Sequence, residues 1–181
     1  MNQQKRQQGK TILLDASSAI LLAKAGFHEI VAASYVIVMS DSVFAEITGN
    51  GLFGSREYER LKQEKQLQVL PVLSPPSLNG TASPPMQRLD RGERDTLILF
   101  HEGRGDFVVT DDGAAARFCL SNRIPFVNSL LLLRLLHRCG IVGDGSYETG
   151  FQFLLALGRY SIRVREYARS CSDSELLFFL P

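Results

Sequence analysis

The stretch TILLDASSAILLAKAG, residues 11–26, decides the fold of this chain. Its first four residues, TILL, suit a buried β-strand, and the strand ends at Asp15. A helical run follows at once and is closed by Gly26, with Ser17 or Ser18 as its expected N-cap. A strand that passes directly into a helix is the building unit of a parallel sheet. The chain is therefore predicted to begin as an α/β protein.

The same alternation of strand and helix continues to residue 143. Four more strands are predicted, at residues 35–39, 67–72, 106–110 and 124–127. Asp41 or Ser42 is the expected N-cap of the helix after the second strand. Strands separated by helices form right-handed crossovers. The sequence therefore predicts an α/β fold with a mostly parallel sheet covered by helices on both faces.

Three segments lie outside this alternation. Residues 1–10 are polar and predict a flexible tail rather than a signal peptide. The segment SPPSLNGTASPP, residues 74–85, is rich in proline and predicts a loop. Residues 144–181 predict a short helical extension, which packs on the main domain (residues 11–143) or contacts a partner.

Length, composition and charge are those of a soluble protein with one core. The chain has 181 residues, of which 45% are hydrophobic and 22% charged, as in ordinary globular domains. A net charge of +1 neither supports nor excludes nucleic acid as a partner, because a basic groove can exist within a balanced total. The three cysteines lack disulfide or metal spacing and are expected to be buried thiols. Together with the lack of a long apolar run, these features predict a cytoplasmic protein.

Acidic side chains stand where strand ends could bring them to one point. Asp15 follows the first strand, and Asp111 and Asp112 follow the strand at 106–110. The carboxyl ends of parallel strands meet at one edge of a sheet, where ligands bind. Clustered carboxylates repel one another unless a cation lies between them, and oxygen ligands suit Mg²⁺ or Mn²⁺. Since such ions drive phosphodiester hydrolysis, the pattern predicts a metal-dependent nuclease.

Helical acids add to this set, and two of them compete for one place. Glu46 lies one turn into its helix, where a favourable charge near the N-terminus is the alternative explanation. Glu93 and Asp95 point in different directions, because two residues correspond to about 200° of helix rotation. Asp95 is preferred because it shares a helix face with Ile98 and Leu99, whereas the helix dipole explains Glu93.

Asp111 and Asp112 are adjacent, and at most one of them can be a primary ligand. The alternative explanation is that Thr110, Asp111 or Asp112 simply caps the following helix. Two acids are more than capping requires. Asp112 is therefore the first choice, and Asp111 is kept as a residue that holds water or supports the ligand.

In order and spacing, these segments resemble the PIN domain, and more narrowly the PIN proteins related to VapC-type toxins. The resemblance rests on four motifs: TILLDASSAILLAKAG, SDSVFAEI, LDRGERDTLILFHEG and the stretch that begins FVVTDDGAAARFC. It implies a Rossmann-like, three-layer α/β/α fold and an endoribonuclease that depends on Mg²⁺ or Mn²⁺. It also implies an RNA substrate, and it suggests an antitoxin partner and a homodimer, as in toxin–antitoxin pairs.

The resemblance also assigns site residues. The catalytic acids are expected to be Asp15, Glu46, Asp95 and Asp112. Metal ligands among them are expected to be Asp15, Asp95 and Asp112. Residues expected to support these acids are Asp111, Glu93, Ser17 and Thr110. The basic residues considered for RNA binding are Arg56, Arg60, Lys62, Arg117 and Arg123.

Two other interpretations are weighed against the nuclease. A non-catalytic PIN-like module would bind metal weakly and recruit a protein through the apolar C-terminal tail. A receiver-like phosphoacceptor needs a lysine at the end of a late strand, and the segment IPFVNS has none. The chain also lacks the complete P-loop pattern GxxxxGK[ST] and an HExxH motif, so a P-loop nucleotide site and a zinc-protease site are unsupported.

Overall fold

The computed structural model describes residues 9–49, 51–73 and 88–181. The proline-rich loop at 74–85 and nearly all of the predicted tail at 1–10 lie outside these ranges. Within them the chain forms five β-strands: Thr11–Leu14 (β1), Val36–Ser40 (β2), Leu67–Leu70 (β3), Phe107–Val109 (β4) and Phe126–Val127 (β5). The five predicted strands are confirmed in number and order, although most are shorter than predicted.

Helices connect the strands and then continue beyond the sheet. The helices of the main alternation are Ala16–Lys24 (α1), His28–Ser34 (α2), Asp41–Gly49 (α3), Ser55–Gln63 (α4), Arg91–His101 (α5), Gly113–Asn122 (α6) and Ser129–Arg138 (α7). The C-terminal extension contains Asp144–Leu157 (α8), Ile162–Ser170 (α9), Asp173–Leu176 (α10) and a 3₁₀ turn at Leu177–Phe179. Of these helices, the sequence did not predict α2.

All strand pairs are parallel, and the sheet has the order β3-β2-β1-β4-β5. The chain therefore builds outward from β1 to β3, returns to the other side of β1 with β4, and ends at β5. The reversal leaves a crevice between the carboxyl ends of β1 and β4. In open α/β sheets this is the position where ligands bind.

Side chains alternate between the two faces of the sheet, as the period of a strand requires. Ile12 and Leu14 belong to the larger core, whereas Leu13 between them belongs to the smaller one. Helices α5 and α6 cover the smaller core through Leu97 and Phe118. The remaining helices of the alternation cover the larger core, so the fold has three layers, as predicted.

Two predicted helix caps are wrong. The N-cap of α1 is Asp15, which accepts a hydrogen bond from the amide of Ser18 (2.8 Å). The amide of Val43 in α3 donates to Ser40 Oγ (3.2 Å), in place of Asp41 or Ser42. In both cases the last residue before the helix is still extended or in the strand, so its short side chain reaches forward to the first free amides.

The C-terminal extension packs on the larger core. Phe151 and Leu154 of α8 are buried in it, and the hydroxyl of Tyr35 donates to the carbonyl of Phe179 (2.9 Å). The Phe179 ring also meets Phe107 of β4 edge to face, with the ring centres 5.0 Å apart. The extension thus covers the sheet near β4.

The cysteines are only partly as expected. Cys119 and Cys171 are buried, but Cys139, the C-cap of α7, is exposed. No single helix in the described ranges is long and apolar enough to cross a membrane. Helices α1 and α2 meet that requirement only as a pair, and the chain bends by 115° between them.

Candidate active site

The structure brings the strand-end acids together at the crevice between β1 and β4. Asp15 follows β1 directly and its amide donates to the carbonyl of Val109, which extends the pairing of β1 with β4 by one residue. Asp111 and Asp112 follow the end of β4. The geometry therefore agrees with the expectation that parallel strand ends present these acids at one edge.

Asp15 is almost completely buried, with 3% of its surface exposed. Its carboxylate accepts hydrogen bonds from the Ser17 hydroxyl (2.9 Å), the Ser18 amide (2.8 Å) and the Thr110 hydroxyl (2.5 Å). Burial raises the pKa of Asp15 to about 6, although the hydrogen bonds to its carboxylate lower this pKa. The negative charge of Asp111 also contributes to the increase. Asp15 is thus a buried acid that ionises near neutral pH.

Asp111 is the most heavily hydrogen-bonded of the acids. Its carboxylate accepts hydrogen bonds from the hydroxyls of Ser18 (2.7 Å), Ser129 and Tyr160 (2.5 Å), and from the Ser129 amide (3.2 Å). These donors come from α1, from α7 and from the extension. Because its oxygens are occupied by protein donors, Asp111 joins elements together rather than facing the crevice as a free ligand.

Asp112 and Glu93 form a close acidic pair. Asp112 is the N-cap of α6, and its Oδ1 accepts from the amides of Ala114 (2.6 Å) and Ala115 (2.9 Å). Glu93 lies in the first turn of α5, and its carboxyl group is within hydrogen-bonding reach of Asp112. Burial, followed by the negative charges of Asp112 and Asp90, raises the pKa of Glu93 to about 8.

Asp95 lies apart from this pair. Its Oδ2 is 3.7 Å from Nε of Arg91, one helical turn earlier, and 19% of its side chain is exposed. The sequence favoured Asp95 over Glu93 because of its apolar neighbours on α5. The structure instead brings Glu93 to Asp112 and pairs Asp95 with an arginine.

Glu46 faces α5 from α3. A cleft of about 660 Å³, in the size range of small-ligand sites, lies between the first turns of these helices. It is lined by Asp41, Ser42, Ala45, Glu46, Asp90, Arg91 and Gly92. Burial and the charge of Asp90 raise the pKa of Glu46. A β-carbon at Gly92 would lie 3.2 Å from Glu46 Oε2, so glycine lets the two helices approach at this point.

Three residues near the acids were missed from the sequence. Asp90 caps α5 in a capping box with Glu93, and the spacing of the two acids in LDRGE is a signal that could have revealed it. Ser129 begins α7, and no sequence pattern indicated its hydrogen bond to Asp111. Tyr160 had no signal, because its contact with Asp111 joins segments 49 positions apart.

The five basic candidates differ in their surroundings. Arg117 lies close to the residue after Asp112, because a β-carbon built on Gly113 would lie 3.2 Å from its Nη1. Arg60 is paired with Glu29, and Lys62 lies over the Phe44 ring. Arg123 is the C-cap at the far end of α6, and Arg56 is exposed at the start of α4.

The carboxylates of the crevice are of the chemical type that binds a divalent cation, and two of them lie close together. No group of three His, Cys, Asp or Glu side chains in the described part of the chain is placed to hold an ion. Glu93 and Asp112 do lie together, and the pKa of Glu93 is raised by burial and then by the charge of Asp112, a repulsion that a cation would relieve. Mg²⁺ in proteins is commonly held by one or two carboxylates together with water and substrate phosphates. The pair therefore suits this mode of binding.

The chain matches the model of a known protein family. Residues 11–167 match the family model DUF3368, which is described as a PIN domain. No curated protein and no solved structure gives a significant match. The matched range includes all five strands and continues through α8 into α9, so it contains every acid described above as well as Tyr160.

Proposed function

Because the chain belongs to the PIN domain family, whose members are generally nucleases, we propose that it is a divalent-metal-dependent endoribonuclease. The acids proposed for its site are Asp15, Glu46, Glu93 and Asp112. Glu93 takes the place first given to Asp95, because it is Glu93 that lies beside Asp112. The cation is proposed to be Mg²⁺ or Mn²⁺.

The observation that carries this proposal is that the carboxyl groups of Glu93 and Asp112 lie close together. Two neighbouring carboxyl groups near the end of β4 are unfavourable when both are ionised, and burial increases that cost. Family membership and the position at the crevice supply the reason for such an arrangement. A divalent cation would turn the repulsion into ligation.

Each residue has a distinct part in this proposal. Glu93 and Asp112 would hold the cation, with Asp15 and Glu46 completing the acidic set. Bound there, a divalent cation supplies Lewis-acid stabilisation of the scissile phosphate and lowers the pKa of an attacking water. Asp15 is held rigidly by Ser17, Ser18 and Thr110, so its carboxylate is preorganised. By resemblance to the family, the products would carry a 3′-hydroxyl and a 5′-phosphate.

RNA would be held beside the acids by at least one basic side chain. Arg117 is exposed, belongs to the first turns of α6 and lies near Asp112. A guanidinium at this position suits a phosphate of the RNA backbone. We therefore propose Arg117 as the RNA-binding residue of the five candidates.

A cleavage assay tests the proposal. The purified protein is incubated with end-labelled single-stranded RNA in Mg²⁺ or Mn²⁺, with EDTA as the metal-free control. Asp15→Asn should abolish cleavage. Asp106→Asn is the matched control. Asp106 accepts a hydrogen bond from the amide of Thr11 (2.7 Å) at the opposite end of the strands, so this substitution should leave activity unchanged.

The outcomes separate the candidate functions. Cleavage in Mn²⁺ that disappears in EDTA and in Asp15→Asn supports the nuclease. If the protein does not cleave RNA and its thermal stability does not change with Mn²⁺, the result would instead support a non-catalytic binding module. A toxin role with an antitoxin partner rests on the resemblance to VapC-related proteins. Its test is growth arrest on expression, which Asp15→Asn should relieve.

A further inference from the structure

Tyr160 connects the C-terminal extension to the acidic site. It lies between α8 and α9, and its residue surface is 8% exposed. Its hydroxyl donates to Oδ1 of Asp111 at 2.5 Å. A residue outside the main alternation thus touches the acid that follows β4.

The local structure holds the Tyr160 ring in this position. Nε of Arg165 in α9 donates to the carbonyl of Tyr160 (2.9 Å), which ties the residue to the next helix. Gly158 allows the ring to lie against the backbone, because a β-carbon there would be 2.1 Å from a ring carbon. The ring also belongs to the larger core. Backbone, ring and hydroxyl of Tyr160 are therefore each fixed by a separate contact.

Asp111 passes this restraint on to Asp15. The amide of Asp111 donates to Ser17 Oγ (3.2 Å), and Ser17 in turn donates to Asp15 (2.9 Å). Ser18 forms a second link, since its hydroxyl donates to Asp111 and its amide donates to Asp15. Two short hydrogen-bonded paths therefore join the acid touched by Tyr160 to the buried acid of the site.

We propose that Tyr160 is a positioning residue, whose hydroxyl holds Asp111 and thereby fixes the orientation of Asp15. This inference rests on the proposed nuclease function. It makes the extension a part of the active unit, although the residues that would meet metal and RNA all lie in the main alternation. The role is indirect, because Tyr160 touches none of the proposed ligands.

Tyr160→Phe tests this role, because it removes the hydroxyl and keeps the buried ring. Tyr167→Phe is the matched control: it makes the same change in α9, where the hydroxyl donates to Glu175 (3.2 Å), away from the acids. Loss of a supporting hydrogen bond around a metal site commonly lowers activity or metal affinity by about 10- to 100-fold. We expect kcat of Tyr160→Phe to fall by about tenfold with KM unchanged, the lower end of this range, because Tyr160 acts only through Asp111. Tyr167→Phe should match the wild type.

A second measurement does not depend on cleavage. The Mn²⁺ concentration that gives half of the maximal rise in Tm should increase about tenfold in Tyr160→Phe and stay unchanged in Tyr167→Phe. Cleavage by the wild type that is lost in Asp15→Asn but equal in the two tyrosine variants, with equal Mn²⁺ midpoints, would overturn the inference alone. A wild type that neither cleaves RNA nor responds to Mn²⁺ would overturn the proposed function and the inference with it.

Discussion

Glu93, in the first turn of α5, lies beside Asp112, the N-cap of α6, and the two carboxyl groups come within hydrogen-bonding reach of each other. Burial and the charge of Asp112 raise the pKa of Glu93 to about 8. The pair lies at the carboxyl edge of the sheet, where Asp15 follows β1.

The first prediction concerns which acid of α5 takes part in cleavage. Glu93→Gln should lower kcat by about 100-fold or more, because it removes one carboxylate of the proposed cation pair. Glutamine can still complete the capping box with Asp90, so the fold should persist. Asp95→Asn should remain active, since it loses only an ion pair with the exposed Arg91. Steady-state cleavage of RNA measures both, and the reverse ranking would restore Asp95 to the site.

The second prediction is that Asp15→Asn gains stability while it loses activity. The ionised carboxylate of Asp15 is buried, which is unfavourable, and asparagine is also a good N-cap. From a pKa of about 6 against an ordinary value of 3.8, the gain at pH 8 in EDTA is at most about 3 kcal/mol. Denaturant unfolding measures it. A variant that is clearly less stable than the wild type at pH 8 would contradict this reading of Asp15.

The third prediction is a pH dependence with a definite sign. Asp15 and Glu93 have raised pKa values in the folded protein, so the folded state binds their protons more tightly than the unfolded state does. Their unfavourable contribution is absent below their ordinary values of 3.8 and 4.5. It is complete only above the folded values of about 6 for Asp15 and about 8 for Glu93. In EDTA, the stability advantage of Asp15→Asn should therefore grow as pH rises from about 4 to about 7.

Unfolding curves of the wild type and Asp15→Asn, recorded across this range, isolate the contribution of Asp15 from those of other groups. A difference that stays constant with pH would mean that the carboxyl group of Asp15 ionises like an exposed one. A Glu93→Gln series should show its change at higher pH, up to about pH 8, because the pKa of Glu93 is the higher of the two.

The fourth prediction concerns the residue that binds RNA. Arg117→Gln should weaken RNA binding and reduce the slope of log affinity against log salt by about 0.7, the value for one phosphate contact on a single strand. Arg123→Gln is the matched control, since Arg123 lies at the opposite end of α6. Both are measured in the Asp15→Asn background, which should not cleave. Equal slopes for the two variants would remove Arg117 from the proposed RNA contact.

The sequence was sufficient for the fold because the signals are local and repeated. Short β-branched runs alternate with helical stretches, and this pattern predicts a parallel sheet whose strand ends meet at one edge. The positions of Asp15 and Asp112 followed directly from it. The strand order, which places β4 next to β1, depends on long-range packing and was not predicted.

The choice on α5 shows why the rest of the site was harder to predict. Apolar neighbours suggested that Asp95 faces inward, but the position of a side chain also depends on where the helix begins. Asp90 caps α5 and makes Glu93 its third residue, whose side chain folds back toward the helix start and Asp112. Tyr160 could not be predicted at all, because no local pattern records a contact between the extension and the end of β4.

The caps show a related difficulty. Ser17 and Ser18 were expected to cap α1, which left Asp15 free for function. In the structure Asp15 is the cap and is also the buried acid of the crevice. Asp15 thus serves both as the N-cap of α1 and as the buried acid of the crevice, and residue type alone could not distinguish these two roles.

The response of thermal stability to Mn²⁺ tests the central claim, that the acids at the crevice bind a divalent cation, most directly. Near pH 8, Mn²⁺ at about 100 times its Kd should stabilise the wild type by about 2.7 kcal/mol, a rise in Tm of roughly 5–10 °C. Asp106→Asn should show the same rise. Asp112→Asn, which keeps a good N-cap but lacks one carboxylate of the pair, should show little or none. An equal rise in Asp112→Asn, or no rise in the wild type, would contradict the claim.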